Sequence, residues 1–109
     1  MILVIGGAYQ GKTEYVRENF GAEYEVVNEY HLQIKEQLEK GKDCMQEAAA
    51  LLEEKKPLII ISNEIGYGLV PMDAGERAYR ETVGRVNCYL AREAEQVIRV
   101  ICGIGTRIK

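Results

Sequence analysis

A chain of 109 residues, 47% hydrophobic and 28% charged, has the composition of one soluble globular domain, residues 1–109, with room for a single core. A formal charge of −3 without any basic cluster argues against a nucleic-acid surface, and the opening apolar run of five residues is neither signal peptide nor membrane span. Cys44, Cys88 and Cys102, widely spaced and without a C-x-x-C pair, read as reduced thiols of a cytoplasmic protein rather than a disulfide framework or a zinc site.

Met1 to Ile5 reads as a buried strand, and Gly6-Gly7-Ala8-Tyr9-Gln10-Gly11-Lys12-Thr13 follows it directly. Gly6, Gly11, Lys12 and Thr13 complete the pattern G-x-x-x-x-G-K-[ST], in which a glycine-rich turn aims backbone N–H groups at phosphates from the start of a helix. Lys12 can then reach the β- and γ-phosphates of ATP or GTP, and the Thr13 hydroxyl can ligate the accompanying Mg2+. Tyr9 can stack on a base or a substrate ring, or stand as an exposed loop residue. A bound nucleoside triphosphate is the first expectation.

A helix from Thr13 to Asn19 stops at Phe20-Gly21, and Tyr24 to Val27 forms a short strand. Asn28 is expected to cap a helix to about Lys40, with Gly41 as terminator. His31, the single histidine, precedes Ile34 and Leu38 on one face of it and should pack at the edge of the core. Another helix runs from Asp43 to about Lys55, with Met45, Ala48, Ala49 and Leu52 as its apolar stripe. Leu58 to Ile61 is a second continuous apolar strand, the pattern of a parallel strand covered on both faces.

Ser62 to Pro71 is expected as a loop, followed by a long helix capped by Asp73 and running to about Glu95. Tyr79, Val83, Val86, Leu90 and Ala94 should form its buried stripe, with Arg77–Glu81 and Glu81–Arg85 pairs outside. Val97 to Cys102 is the last clear strand, and the tail can add a pairing segment at Thr106 to Ile108. The alternation implies an α/β fold of P-loop NTPase type, three layers deep, with a small mainly parallel sheet flanked by helices. Ligands then bind beyond the carboxyl ends of the strands. Glu64 is the carboxylate expected there, holding magnesium or orienting the attacking hydroxyl, unless it caps a turn. Ser62 and Asn63 can hydrogen-bond phosphate or nucleoside, or serve the turn itself.

Taken together, the opening segment Met1 to Thr13, Asn63-Glu-Ile-Gly-Tyr-Gly-Leu-Val-Pro71, Gly84-Arg-Val-Asn87, Ala94-Glu-Gln-Val97 and Gly103-Ile-Gly105 resemble the bifunctional adenosylcobinamide kinase/adenosylcobinamide-phosphate guanylyltransferase family of cobalamin biosynthesis. The resemblance covers roughly residues 1–20 and 58–109. It implies nucleotide at Gly6, Gly7, Ala8, Tyr9, Gln10, Gly11, Lys12 and Thr13, with Asn63, Glu64, Gly66, Gly68 and Pro71 shaping the far wall. It also implies phosphorylation of the aminopropanol hydroxyl of adenosylcobinamide. Members of that family are longer, and the segment missing here, between the first helix and Leu58, is the one that carries their guanylylated histidine. The expectation is therefore a shortened kinase of that type rather than a guanylyltransferase, with a non-catalytic nucleotide-binding module as the alternative. A homo-oligomer is expected, because so small a sheet leaves edges for a neighbour to cover.

Overall fold

The computed structural model describes residues 1–65 and 73–109. Gly66, Tyr67, Gly68 and Pro71 of the loop expected after the central strand lie outside the described residues. The elements are β1 (Ile2–Gly6), α1 (Lys12–Asn19), β2 (Glu25–Val27), α2 (Tyr30–Glu39), α3 (Cys44–Glu53), β3 (Leu58–Asn63), α4 (Ala74–Glu93), β4 (Gln96–Ile101) and β5 (Ile104–Arg107). The strands form one sheet in the order β2-β3-β1-β4-β5. β1 pairs in parallel with both β3 and β4, and β2 pairs in parallel with β3. β5 returns antiparallel to β4. This is the α/β architecture expected, a mostly parallel sheet with helices on both faces.

The two faces are unequally covered. Leu3, Leu58, Ile60 and Val97 point to one side, where Tyr30 and Ile34 of α2, Cys44 and Ala48 of α3, and Val83, Val86 and Leu90 of α4 bury them. Ile2, Val4, Ile59, Ile61, Ile98 and Val100 point to the other, where Val16 of α1 packs with Tyr15, Phe20 and Tyr24. Strict alternation along β1 and β3 thus splits each apolar run between two cores, which is why neither run carries a polar residue.

Several boundaries differ from expectation for identifiable reasons. Ser62 and Asn63 belong to β3, because the ladder with β1 continues through Ile5↔Ser62 and Gly6↔Asn63. Ser62 is fully buried, so a small hydroxyl ended the apolar run without ending the strand. The N-cap position of α2 is Glu29, in the left-handed region at φ 50°, and not Asn28. Asn28 serves the same start differently, its Oδ1 accepting the Glu29 N–H at 2.9 Å. α3 is capped by Asp43, which accepts from the N–H groups of Met45 and Gln46. That cap starts the helix at Cys44 and rotates its inward face onto Cys44 and Ala48, leaving Met45 exposed. Of the stripe expected on α4, Val83, Val86 and Leu90 are buried and Tyr79 is partly buried, while Ala94, also buried, stands just past the helix as its C-cap; Glu81 pairs with Arg85.

The tail pairs as expected, but its strand starts two residues earlier, at Ile104 rather than Thr106, and closes a hairpin with β4. Cys102 (φ 51°) and Gly103 (φ 77°) form a two-residue turn, whose left-handed angles match the twist of an antiparallel pair. Gly105 is bare for a different reason: a Cβ there would sit 2.2 Å from Cζ of Tyr15, whose ring lies across the strand. Lys109 Nζ closes the end of α4, donating to the carbonyls of Ala91 at 3.0 Å and Arg92 at 2.8 Å. Among the described residues no helix is long and apolar enough to cross a membrane.

Candidate functional site

The carboxyl ends of β1, β2 and β3 converge on a cleft of about 330 Å3. Ala8, Tyr9, Gln10, Gly11, Lys12 and Thr13 line one side, and Asn28, Glu29, His31 and Asn63 the other. Gly6 and Gly7 lie behind the loop, where Gly6 meets the carbonyl of Val100 so closely that a Cβ would lie 2.4 Å from its oxygen. Tyr9 (φ 59°) and Gly11 (φ 85°) are both left-handed, and they curl the loop around Gln10 into the head of α1. Gly11 supplies no side-chain cap, so the first-turn N–H groups of α1 are left for an anion. Tyr9 is wholly exposed at the lip.

Lys12 folds back on its own loop. Its Nζ donates to the carbonyl of Gly7 at 2.6 Å, the bond that an anion in the cradle has to replace. Burial pushes the ammonium below the ordinary lysine range, against the opposing pull of Glu64 and Glu29. An anionic ligand reverses that shift, since negative charge favours the protonated form.

The structure also brings in residues that sequence reasoning left aside. Asn28 directly follows β2, and its Oδ1 lies 3.5 Å from Oγ1 of Thr13. Glu29 stands beside it on the cleft wall. β2 lies next to β3 in the sheet, so the polar pair after it ends level with the phosphate loop. The signal in the sequence was an apolar strand ending in Asn-Glu, obscured because Asn28 also reads as a helix cap. Glu64, the carboxylate expected to work in the cleft, does not line it. Its Oε1 lies 3.0 Å from Nε of Arg99 and its Oε2 accepts from Nη2 at 3.1 Å. The pair joins the two strands flanking β1, while the Glu64 N–H donates to Gly6 O at 2.8 Å. Glu64 thereby fixes the end of the sheet that carries the loop.

His31 is buried and faces the cleft rather than merely edging the core. The Asn63 N–H donates to its Nδ1 at 3.2 Å, which leaves the proton of the neutral ring on Nε2. Tyr79 holds the same residue by donating its hydroxyl to the His31 carbonyl at 3.0 Å. Asn87 Nδ2 in turn donates to the Asn63 carbonyl at 3.2 Å. Burial lowers the His31 pKa below its ordinary value, with Glu29 opposing and Lys12 adding to the effect.

A stability prediction follows with a defined sign. In the unfolded chain the imidazole takes up its proton near pH 6.5, earlier on acidification than in the fold. The unfolded state therefore binds more protons below that pH, and stability should fall as pH drops through this window. Urea midpoints measured from pH 7 to pH 5 should decline in the native protein and decline less in His31→Gln. Equal slopes would show that the ring is not held neutral.

This fold and this loop define an α/β protein of P-loop NTPase type. Residues 24–108 match the family described as CobU, cobinamide kinase / cobinamide phosphate guanyltransferase. The chain belongs to that family. Over 52 residues it is 42% identical to the bifunctional adenosylcobalamin biosynthesis protein CobU of Salmonella typhimurium, and equally to that of Escherichia coli. The aligned stretch is 48% of this chain but only 29% of each of those proteins.

Proposed function

We propose that the chain binds ATP or GTP with Mg2+ in this cleft and phosphorylates the hydroxyl of adenosylcobinamide in cobalamin biosynthesis. The observation that carries this reading is the meeting of Lys12, Thr13, Asn28 and Glu29 beyond the carboxyl ends of β1 and β2, the parallel strands on either side of β3. Family membership supports the cobinamide substrate.

The donor set fits the cation. Thr13 and Asn28 present neutral oxygens 3.5 Å apart, and Glu29 a carboxylate on the same wall, the hard-oxygen environment magnesium prefers. Bound there, the ion would screen charge on the phosphates. In the reaction, Lys12 leaves the Gly7 carbonyl for the β- and γ-phosphate oxygens. The substrate hydroxyl oxygen bonds to the γ-phosphorus as the bond from that phosphorus to the β-bridging oxygen breaks. Glu29 lies on the wall from which a carboxylate can orient the hydroxyl and receive its proton.

His31 supports phosphoryl transfer without guanylyl transfer. A nucleophilic imidazole needs a free nitrogen lone pair, whereas Nδ1 is occupied by the Asn63 N–H and Nε2 carries the proton. In that tautomer the ring serves as a hydrogen-bond donor to phosphate.

The test incubates the protein with Mg2+, ATP or GTP, and adenosylcobinamide, and reads products by mass spectrometry. Adenosylcobinamide phosphate without a GDP-linked product is expected. A GDP-linked product would overturn the assignment of His31 as donor. Nucleotide binding with neither product would replace the kinase by a nucleotide-gated binding module.

A further inference from the structure

The phosphate loop is tied to a part of the chain more than ninety residues away, and the tie runs through one residue, by its side chain and its main chain. Gln10 Oε1 accepts the N–H of Cys102 at 2.7 Å, and the Gln10 carbonyl accepts the N–H of Gly103 at 2.8 Å. Both donors belong to the β4–β5 turn, whose two residues are left-handed. Gly11, itself left-handed, backs directly onto this turn: a Cβ there would lie 3.3 Å from the Gly103 Cα. Behind the turn, Tyr15 of α1 lies across Gly105 of β5.

These contacts have one geometry in common. The turn approaches the loop from outside the cleft and takes up the carbonyl and side chain of Gln10, the residue between the two left-handed positions Tyr9 and Gly11. A loop of this kind binds phosphate only while its curl is maintained, and an unrestrained glycine-rich segment would lose that curl to conformational entropy. Nothing in the motif pattern requires glutamine at this position.

We propose that Gln10 is a positioning residue, and that the Cys102–Gly103 turn is a strap that holds the phosphate loop in its binding conformation before the ligand arrives. The inference rests on the nucleotide reading above and adds a determinant from outside the motif. Because the strap acts on the loop's phosphate-holding backbone, it contributes equally to any ligand carrying a di- or triphosphate and is indifferent to the base.

Two further consequences separate positioning from general packing. If the strap favours the binding conformation, a bound nucleotide must favour the strap to the same degree, since coupling is reciprocal. The amides of Cys102 and Gly103 should therefore exchange hydrogen more slowly when nucleotide is present. In Gln10→Ala the Cys102 amide loses its acceptor and should lose that response, while the Gly103 amide, bonded to the main chain, keeps part of it.

The experiment measures binding of GTP, ATP and inorganic pyrophosphate by calorimetry to the native protein and to Gln10→Ala, alongside thermal unfolding and amide exchange. Expected is a loss of roughly five- to tenfold in affinity, alike for all three ligands, of the size one net hydrogen bond confers. The melting temperature should stay close to native, since the side chain is only partly buried. Unchanged affinity, or a loss confined to one nucleotide, would overturn the strap. So would a Cys102 amide that ignores nucleotide in the native protein. Failure of the native protein to bind any of the three would instead overturn the nucleotide reading itself, and the strap with it.

Discussion

Replacing Lys12 by alanine is expected to lower the rate of phosphoryl transfer by two to three orders of magnitude, on the order of what loss of a preorganised charge donor costs. The protein should remain folded, and its melting temperature should hold or rise slightly. The reason is the state of Lys12 without ligand. Its ammonium is partly desolvated, donates to the Gly7 carbonyl, and is held below the ordinary lysine pKa by that burial. The folded state therefore pays for a charge whose benefit appears only when phosphates occupy the cradle. A base whose folded pKa is lowered destabilises the fold at neutral pH, and the deficit shrinks as pH rises toward the unfolded value. Removing the amine removes that deficit. For the proposed kinase the same shift sets the alkaline limit of activity. In kcat/KM, which reports the free protein, activity should decline at a lower pH than an unperturbed lysine would give. In kcat the decline should come later, because bound phosphate restores the charge. Steady-state kinetics across the alkaline range, with Lys12→Ala as baseline, checks both; a profile flat to pH 10.5 would contradict the burial of the ammonium.

Gly6→Ala is expected to destabilise the protein by about 3 kcal/mol, near the upper end of what overpacking costs. The added methyl would meet backbone, the Val100 carbonyl of the neighbouring strand, 2.4 Å away. A side chain could swing aside; β4, held by β1 on one edge and β5 on the other, cannot move without disturbing the β1–β4 ladder from Ile2↔Gln96 to Ile5↔Arg99. Gly84→Ala supplies the opposite case. Gly84 lies inside α4 with nothing among the described residues within 4 Å of its would-be Cβ, so alanine there should stabilise by about 1 kcal/mol through helix propensity. Urea denaturation of both variants should give midpoints on opposite sides of native. If Gly6→Ala matched native stability, the close approach of β1 and β4 at the loop would be disproved.

The sheet was legible because its physics is local. β1 and β3 announce themselves as unbroken aliphatic runs, α4 as a long apolar stripe behind Asp73, and the phosphate loop as a spaced motif. What could not be read depends on neighbours. Ser62 is hydrophilic by type, and only the register with Ile5 makes it a strand residue. Met45 fits a helical stripe by spacing, yet the cap at Asp43 sets a phase that turns Cys44 inward instead. The site shows the same division. Lys12 and Thr13 follow from the motif, whereas Glu64 stood in the expected place after β3 but is held by Arg99, a residue of a strand more than thirty positions later. Asn28 and Glu29 reach the cleft because β2 lies beside β3, a pairing that no local pattern encodes. His31 looked like an ordinary core-edge residue until the Asn63 N–H fixed its ring.

The strand order has a consequence for synthesis. The residues of the phosphate loop are made near the start of this chain, yet β1 lies in the sheet between β3 and β4, which are made after residue 57 and residue 95. The turn that restrains Gln10 comes later still, at Cys102 and Gly103. The phosphate loop is thus translated before either of the strands that flank β1. Until β4 is made, β1 keeps at least one aliphatic edge open even after β3 has paired with the other, and an open edge pairs wrongly or recruits a chaperone. Under the proposed nucleotide reading, capture should therefore begin only once the β4–β5 hairpin has joined the sheet, which makes ligand binding a report on completion of the sheet.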